Sequence, residues 1–154
     1  MTLYLRSLED TRAFGAALGA ACFDGMVVLL HGDLGAGKTS LVQAVAREMG
    51  VPGAVTSPTY TLVAEYPEAR IRLCHADLYR LDDPRDAEPL ELESRPGREG
   101  VWFVEWPARV HATTWPTDRL EIWLEADGEG RRARLLAGGP RHAALLAGLA
   151  QGDA

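Results

Sequence analysis

The sequence contains no asparagine and a single lysine, Lys38. With that lysine committed elsewhere, the guanine-reading pattern N-K-x-D cannot be assembled, which sets GTPases aside. Two cysteines, Cys22 and Cys74, are too few for a disulfide framework, and no C-x-x-C spacing points to a metal. Reduced thiols in a cytoplasmic protein are the expectation. No apolar run approaches the roughly 18 residues that a membrane-spanning helix needs, and Met1 to Arg12 lacks the basic start and apolar stretch of a secretory leader. Positive charge is also scarce. A formal net charge of −6 argues against a chain whose main task is gripping a nucleic-acid backbone. The histidines at 31, 75, 111 and 142 show no ligand spacing and no Ser/His/Asp set, and His75 is expected on the opposite side of its strand from Asp77.

What is present is an ordinary globular composition, 47% hydrophobic and 25% charged. The length predicts a single domain over residues 1–154. The strongest local signal is Gly32-Asp33-Leu34-Gly35-Ala36-Gly37-Lys38-Thr39, which fills the template G-x-x-x-x-G-K-[ST]. Met26 to Leu30 before it is a continuous apolar run, as a strand buried on both faces should be. Leu41, Val42, Val45 and Met49 after it recur at helical spacing until Gly50. Strand, glycine loop and helix start form an anion cradle, in which backbone N–H groups of Gly35, Ala36, Gly37 and Ser40 and the helix dipole face phosphates. Lys38 is suited to the β- and γ-phosphates and the Thr39 hydroxyl to a magnesium ion. All fifteen other Lys+Arg residues are arginine, so lysine is kept where a compact point charge fits and a planar fork does not.

Elsewhere the pattern predicts a short strand at Leu3–Leu5, a helix from an N-cap at Ser7 to about Cys22, a strand at Thr61–Tyr66 and another from Arg70–Cys74 that ends in His75–Tyr79. Asp77 and Glu105 each close an apolar strand, where carboxylates face the ligand crevice of an α/β sheet. One can hold a metal and the other can orient water, and the spacing leaves the assignment open. Thr56 to Thr61 clusters hydroxyls, readable as a polar turn or as a switch segment. Residues 81–93 are acidic, with a short helix after Pro84 and otherwise a solvated face. Trp106 reads as a core or rim aromatic. Leu120–Glu125 and Arg131–Leu136 read as a hairpin around Asp127-Gly128-Glu129-Gly130, and a last helix runs from Arg141 to Leu149. Arg131, Arg132 and Arg134 form the one basic cluster, either a solvated edge or a contact with nucleotide or tRNA.

With the glycine loop, Ser57-Pro58-Thr59-Tyr60-Thr61-Leu62, His75-Ala76-Asp77-Leu78-Tyr79-Arg80-Leu81 and Val104-Glu105-Trp106-Pro107 in this order, the chain resembles the TsaE (formerly YjeE) family. These are small bacterial ATPases required for threonylcarbamoyladenosine modification of tRNA. The resemblance extends from Thr11 to the final hairpin and implies an α/β P-loop NTPase fold. The fold class expected on it is a mostly parallel central sheet with an antiparallel C-terminal hairpin and helices on both faces. It further implies ATP and Mg2+ as ligands, TsaB and TsaD as partners, and tRNA reached through that complex. On the same resemblance Thr39 and Glu105 become magnesium-site residues, Asp77 the acid of the Walker-B-like strand and Thr59 the switch threonine. Thr11 corresponds to a position near the adenine, and Arg131 to an arginine lining the nucleotide. Ala76 stands where phenylalanine is common, and Arg85 to Gly100 matches weakly. A P-loop small-molecule kinase and a nucleotide-gated binding module without essential hydrolysis are the alternatives. No intrinsic arginine finger is identifiable, so the expectation is slow hydrolysis alone and faster turnover with partners.

Overall fold

The computed structural model describes residues 1–152, so the last two residues of the expected 1–154 span lie outside the described residues. The strands are β1 (Thr2–Leu5), β2 (Val27–His31), β3 (Val63–Tyr66), β4 (Leu73–Asp77), β5 (Val101–Glu105), β6 (Leu120–Asp127) and β7 (Gly130–Ala137). The α-helices among the described residues are α1 (Leu8–Ala21), α2 (Lys38–Glu48) and α3 (Pro140–Gly152). The strands form one seven-stranded sheet of order β1-β7-β6-β2-β5-β4-β3. Its four inner strands β6, β2, β5 and β4 are parallel, and β7, β1 and β3 pair antiparallel at the two edges.

The run Val27 to Leu30 takes the middle of the sheet because it has no polar residue to offer either side, and it is 0–1% exposed. Alternation divides it. Val28 and Leu30 join Phe103 and Ile122 against the α-helices, while Val27 and Leu29 join Trp102 and Val104 on the other side. Helix α1 starts where Ser7 Oγ accepts from Asp10 N at 3.1 Å, and the Asp10 carboxylate accepts in turn from Arg6 N at 2.8 Å. Gly15 and Gly19 let α1 lie close on α2. A Cβ at Gly15 would overlap that of Ala44, and one at Gly19 would meet Val45 O at 2.9 Å.

The expectation of helices on both faces is corrected. Phe14, Leu18, Leu41, Val45 and Leu145 put all three described α-helices into the same cluster on one face. The other face is covered by the segments on either side of β5, residues 78–100 and 106–116, which include three 3-10 turns (Pro84–Leu90, Pro107–Arg109 and Ala112–Thr114) and pack through Leu78, Leu81, Leu92, Val110 and Trp115. Prolines at 84, 89, 96 and 107 remove backbone donors too often there for an α-helix to propagate. The acids of 82–93 are mostly exposed, yet Leu81, Ala87 and Leu92 are buried, so the stretch is a cover and not only a solvated face.

Two strand positions also differ from expectation. The strand foreseen at Thr61–Tyr66 starts at Val63, because Leu62 has φ +61° and cannot continue a pleat. The strand foreseen from Arg70 starts later, at Leu73, and runs to Asp77, within the His75–Tyr79 stretch where its end was foreseen. No described helix is long and apolar enough to cross a membrane.

Candidate functional site

β2 delivers the chain to Gly32 at the C-terminal edge of the parallel strands, where ligand crevices of α/β sheets lie. Gly35 (φ +78°) and Gly37 (φ +101°) turn the loop through left-handed conformations, and neither has another atom within 4 Å of where a Cβ would stand. Gly37 N-caps α2 and no side chain bonds the helix end. The first-turn amides and the positive end of the helix dipole are thus directed at the loop. A cleft of about 260 Å³ opens there, lined by the loop with Ser57, Asp77, Tyr79, Glu105 and Trp106. A cavity of about 530 Å³ adjoins the other flank of the loop, between Trp123–Ala126 and Arg131.

Lys38 is 4% exposed, a rare position for a lysine. Its Nζ donates to Gly32 O and stands 4.0 Å from the centre of the Trp106 ring. Burial lowers its pKa, while the charges of Glu105, Asp77 and Asp33 pull it back up. Trp106 holds φ +57°, an uncommon conformation for a bulky side chain, and packs on Tyr79 with ring centres 5.1 Å apart.

Thr39 Oγ1 lies 3.2 Å from both oxygens of Glu105 and 2.8 Å from Ser57 Oγ. A hydroxyl has one proton, and a carboxylate only accepts. Thr39 therefore donates to Glu105 and accepts from Ser57. Glu105 is 3% exposed, and on its core side His75 Nε2 sits 2.6 Å from Oε2. Asp77 is half-buried and its Oδ1 accepts from Tyr79 N at 3.0 Å. Burial raises the Asp77 pKa and the Glu105 charge adds to it, against the bond from Tyr79 N, which lowers it.

Of the residues singled out in the sequence, the structure gathers Gly35, Ala36, Gly37, Lys38, Thr39, Ser40, Asp77 and Glu105 around one cleft. Arg131 reaches the loop from the hairpin: Nε donates to Ala36 O and Nη2 to Gly35 O, both at 3.0 Å. Arg132 and Arg134 instead pair with Glu125, as a solvated edge would. Thr59 is exposed and outside the cleft lining, and the hydroxyl that meets Thr39 is that of Ser57. Thr11 is buried in the first turn of α1, its hydroxyl donating to Ser7 O at 3.4 Å, and it does not line the cleft. The placement of His75 across the strand from Asp77 is corrected: residues two apart in an extended strand share a face, and His75 is part of the site. Three of the four histidines pair with a carboxylate, His31 with Glu121 and His142 with Asp118 besides His75 with Glu105. Ser57 lies inside the hydroxyl cluster with nothing to single it out from Thr59, and His75 gave no spacing signal. The period-two rule, applied through Asp77, would have found the second.

The oxygen donors Thr39, Ser57, Asp77 and Glu105 suit a hard divalent cation such as Mg2+. Among the described residues no group of three or more His, Cys, Asp and Glu could cage a metal. Such a donor set matches a cation shared between one or two carboxylates and a ligand's own phosphates.

These features define an α/β protein whose glycine-rich strand–loop–helix opens on the ligand-binding edge of a parallel sheet. A family model described as "Threonylcarbamoyl adenosine biosynthesis protein TsaE" matches residues 5–134, and the chain belongs to that family. It is 40% identical over 134 residues to the tRNA threonylcarbamoyladenosine biosynthesis protein TsaE of Nostoc, covering 84% of this chain and 81% of that protein. With the protein of that name from Bacillus subtilis it shares 36% identity over 124 residues, covering 80% and 77% of the two chains. The crystal structure of YdiB from Bacillus subtilis superposes with a TM-score of 0.80 at 31% identity, covering 100% of this chain and 96% of that one.

Proposed function

We propose that this protein binds ATP with Mg2+ in the cleft beside Gly35–Ser40 and hydrolyses it in the service of threonylcarbamoyladenosine synthesis on tRNA, in the cytoplasm with TsaB and TsaD. The observation that carries the reading is the Thr39 hydroxyl set against both oxygens of a buried Glu105 at the foot of an uncapped glycine loop. The pathway rests on family membership and on the names of the relatives.

In this reading the loop amides and the α2 N-terminus take the β- and γ-phosphates. Lys38 leaves Gly32 O and the Trp106 face to neutralise charge on the transferred phosphoryl group. Thr39 and Glu105 would hold Mg2+, which when bound neutralises and orients the terminal phosphates. Asp77, which makes no bond to Thr39, orients the attacking water, and its raised pKa suits it to accept that water's proton. Arg131 keeps the loop carbonyls turned away from the phosphates by bonding two of them. No arginine lines the cleft among the described residues, so turnover by the protein alone is slow and a partner supplies the acceleration.

Phosphate release from ATP, measured with and without TsaB, TsaD and tRNA and with Lys38→Ala as the blank, tests this. Release that depends on Lys38 and rises with the partners supports it. Release equal to the blank, or unchanged by the partners, overturns the corresponding part.

A further inference from the structure

We propose that His75 is a positioning residue whose imidazole holds the Glu105 carboxylate in the orientation that meets Thr39. The inference rests on reading the cleft as an MgATP site and adds to it a residue from below the cleft. The parallel register of β4 and β5 sets Asp77 beside Glu105, so His75 lies one pleat deeper on the same face. There it is 0% exposed, with Nε2 2.6 Å from Glu105 Oε2. The carboxylate only accepts, so Nε2 carries the proton and donates it.

Two features show that this bond, and not packing, is what the ring supplies. The terminal torsion of a glutamate is broad and is not held by rotamer preference, so a buried Glu105 needs donors to fix its plane. It has two: Thr39 from the loop side and His75 from the core side. Any cation or phosphate that draws Thr39 away leaves His75 as the remaining hold. The second feature is that His75 Nδ1 is buried and has no partner. An unpartnered polar atom destabilises a core, and a leucine in that place would avoid it. A local rule broken in this way, two residues from Asp77 and in contact with Glu105, marks a side chain kept for the group it holds.

The test is calorimetry of ATP binding to the full chain, with and without Mg2+, for the parent, His75→Leu and His75→Gln. Loss of a partner that orients a metal ligand weakens metal affinity about 10–100-fold, so His75→Leu should lose that much of the Mg2+-dependent tightening. Metal-free ATP affinity should stay within about threefold, since His75 touches no loop amide. His75→Gln, whose amide N–H can reach the same oxygen, should recover most of the loss. In a Glu105→Gln background, His75→Leu should add nothing. Should the leucine variant not fold, as a melting curve would show, His75→Met carries the same comparison. The proposal is overturned if the apolar variant keeps the parent's Mg2+ dependence, if it loses metal-free and Mg2+-bound affinity equally, or if a folded His75→Gln recovers nothing. A parent chain that binds ATP no more tightly with Mg2+ than without it would instead overturn the MgATP reading itself.

Discussion

Replacing His142 with leucine should destabilise the fold by about 2–4 kcal/mol, because the ring bridges two elements that otherwise leave polar groups bare. The ring is 1% exposed, its Nε2 accepts from Val27 N at 3.1 Å, and its Nδ1 donates to Asp118 Oδ1 at 2.8 Å. An amide N–H can only donate, so the proton is fixed on Nδ1 and the imidazole is neutral. Leucine fills much of the volume but leaves the Val27 N–H buried without a partner, which costs about 1–3 kcal/mol. The lost bond to Asp118 adds less than a fully buried charged pair would, about 1 kcal/mol, since that carboxylate is partly exposed and keeps bonds from Arg141 N and His142 N. At roughly 2–4 °C per kcal/mol for a chain of this size, the melting midpoint should fall by about 5–15 °C near pH 7.5. Burial also lowers the His142 pKa from 6.5, partly offset by its bond to Asp118. As pH drops below 6.5 the unfolded chain takes up a proton that the folded chain refuses. Stability from this residue is therefore full above that pH and is lost as pH falls toward the folded pKa, a slope the leucine variant should lack. Midpoints followed by circular dichroism from pH 7.5 to 5 check both parts. A shift under about 2 °C, or an unchanged pH slope, would refute the reasoning.

Other outcomes follow from the same contacts. Lys38→Arg should bind or turn over ATP about 10²–10³-fold less well than the parent, because a planar guanidinium cannot stand in for the compact ammonium that moves from Gly32 O and the Trp106 face to the phosphates; steady-state phosphate release measures it. Arg131→Ala should weaken ATP binding about tenfold by releasing the Gly35 and Ala36 carbonyls. Arg131→Lys should not restore it, since one ammonium cannot span both as the fork does; titration calorimetry distinguishes the variants. Gly15→Val should cost about 1–3 kcal/mol in urea unfolding, because its side chain would press on Ala44 and on Leu41 O, 3.1 Å from an ideal Cβ. An unfolding midpoint equal to the parent's would mean that α1 and α2 can separate freely.

The parts of this protein that sequence alone determined are those whose physics is local. A short, β-branched apolar run that leads straight into a glycine loop reads as a buried strand. Three glycines around Asp33, Leu34 and Ala36 have to turn, and Ser7 or Gly50 bounds a helix wherever that helix packs. Tertiary structure decided which acid meets Thr39. β5 pairs directly with the loop-bearing strand, setting Glu105 beside Leu30, whereas β4 with Asp77 stands one strand further out. Chain order, in which Asp77 comes first, carries no trace of that neighbour relation. The same holds for Ser57 meeting Thr39 in place of Thr59, for Arg131 reaching across from the hairpin to the loop, and for all three described α-helices sharing one face. Each depends on where two distant segments cross, and such crossings are settled by the packing of the whole sheet, not by the residues on either side of a motif.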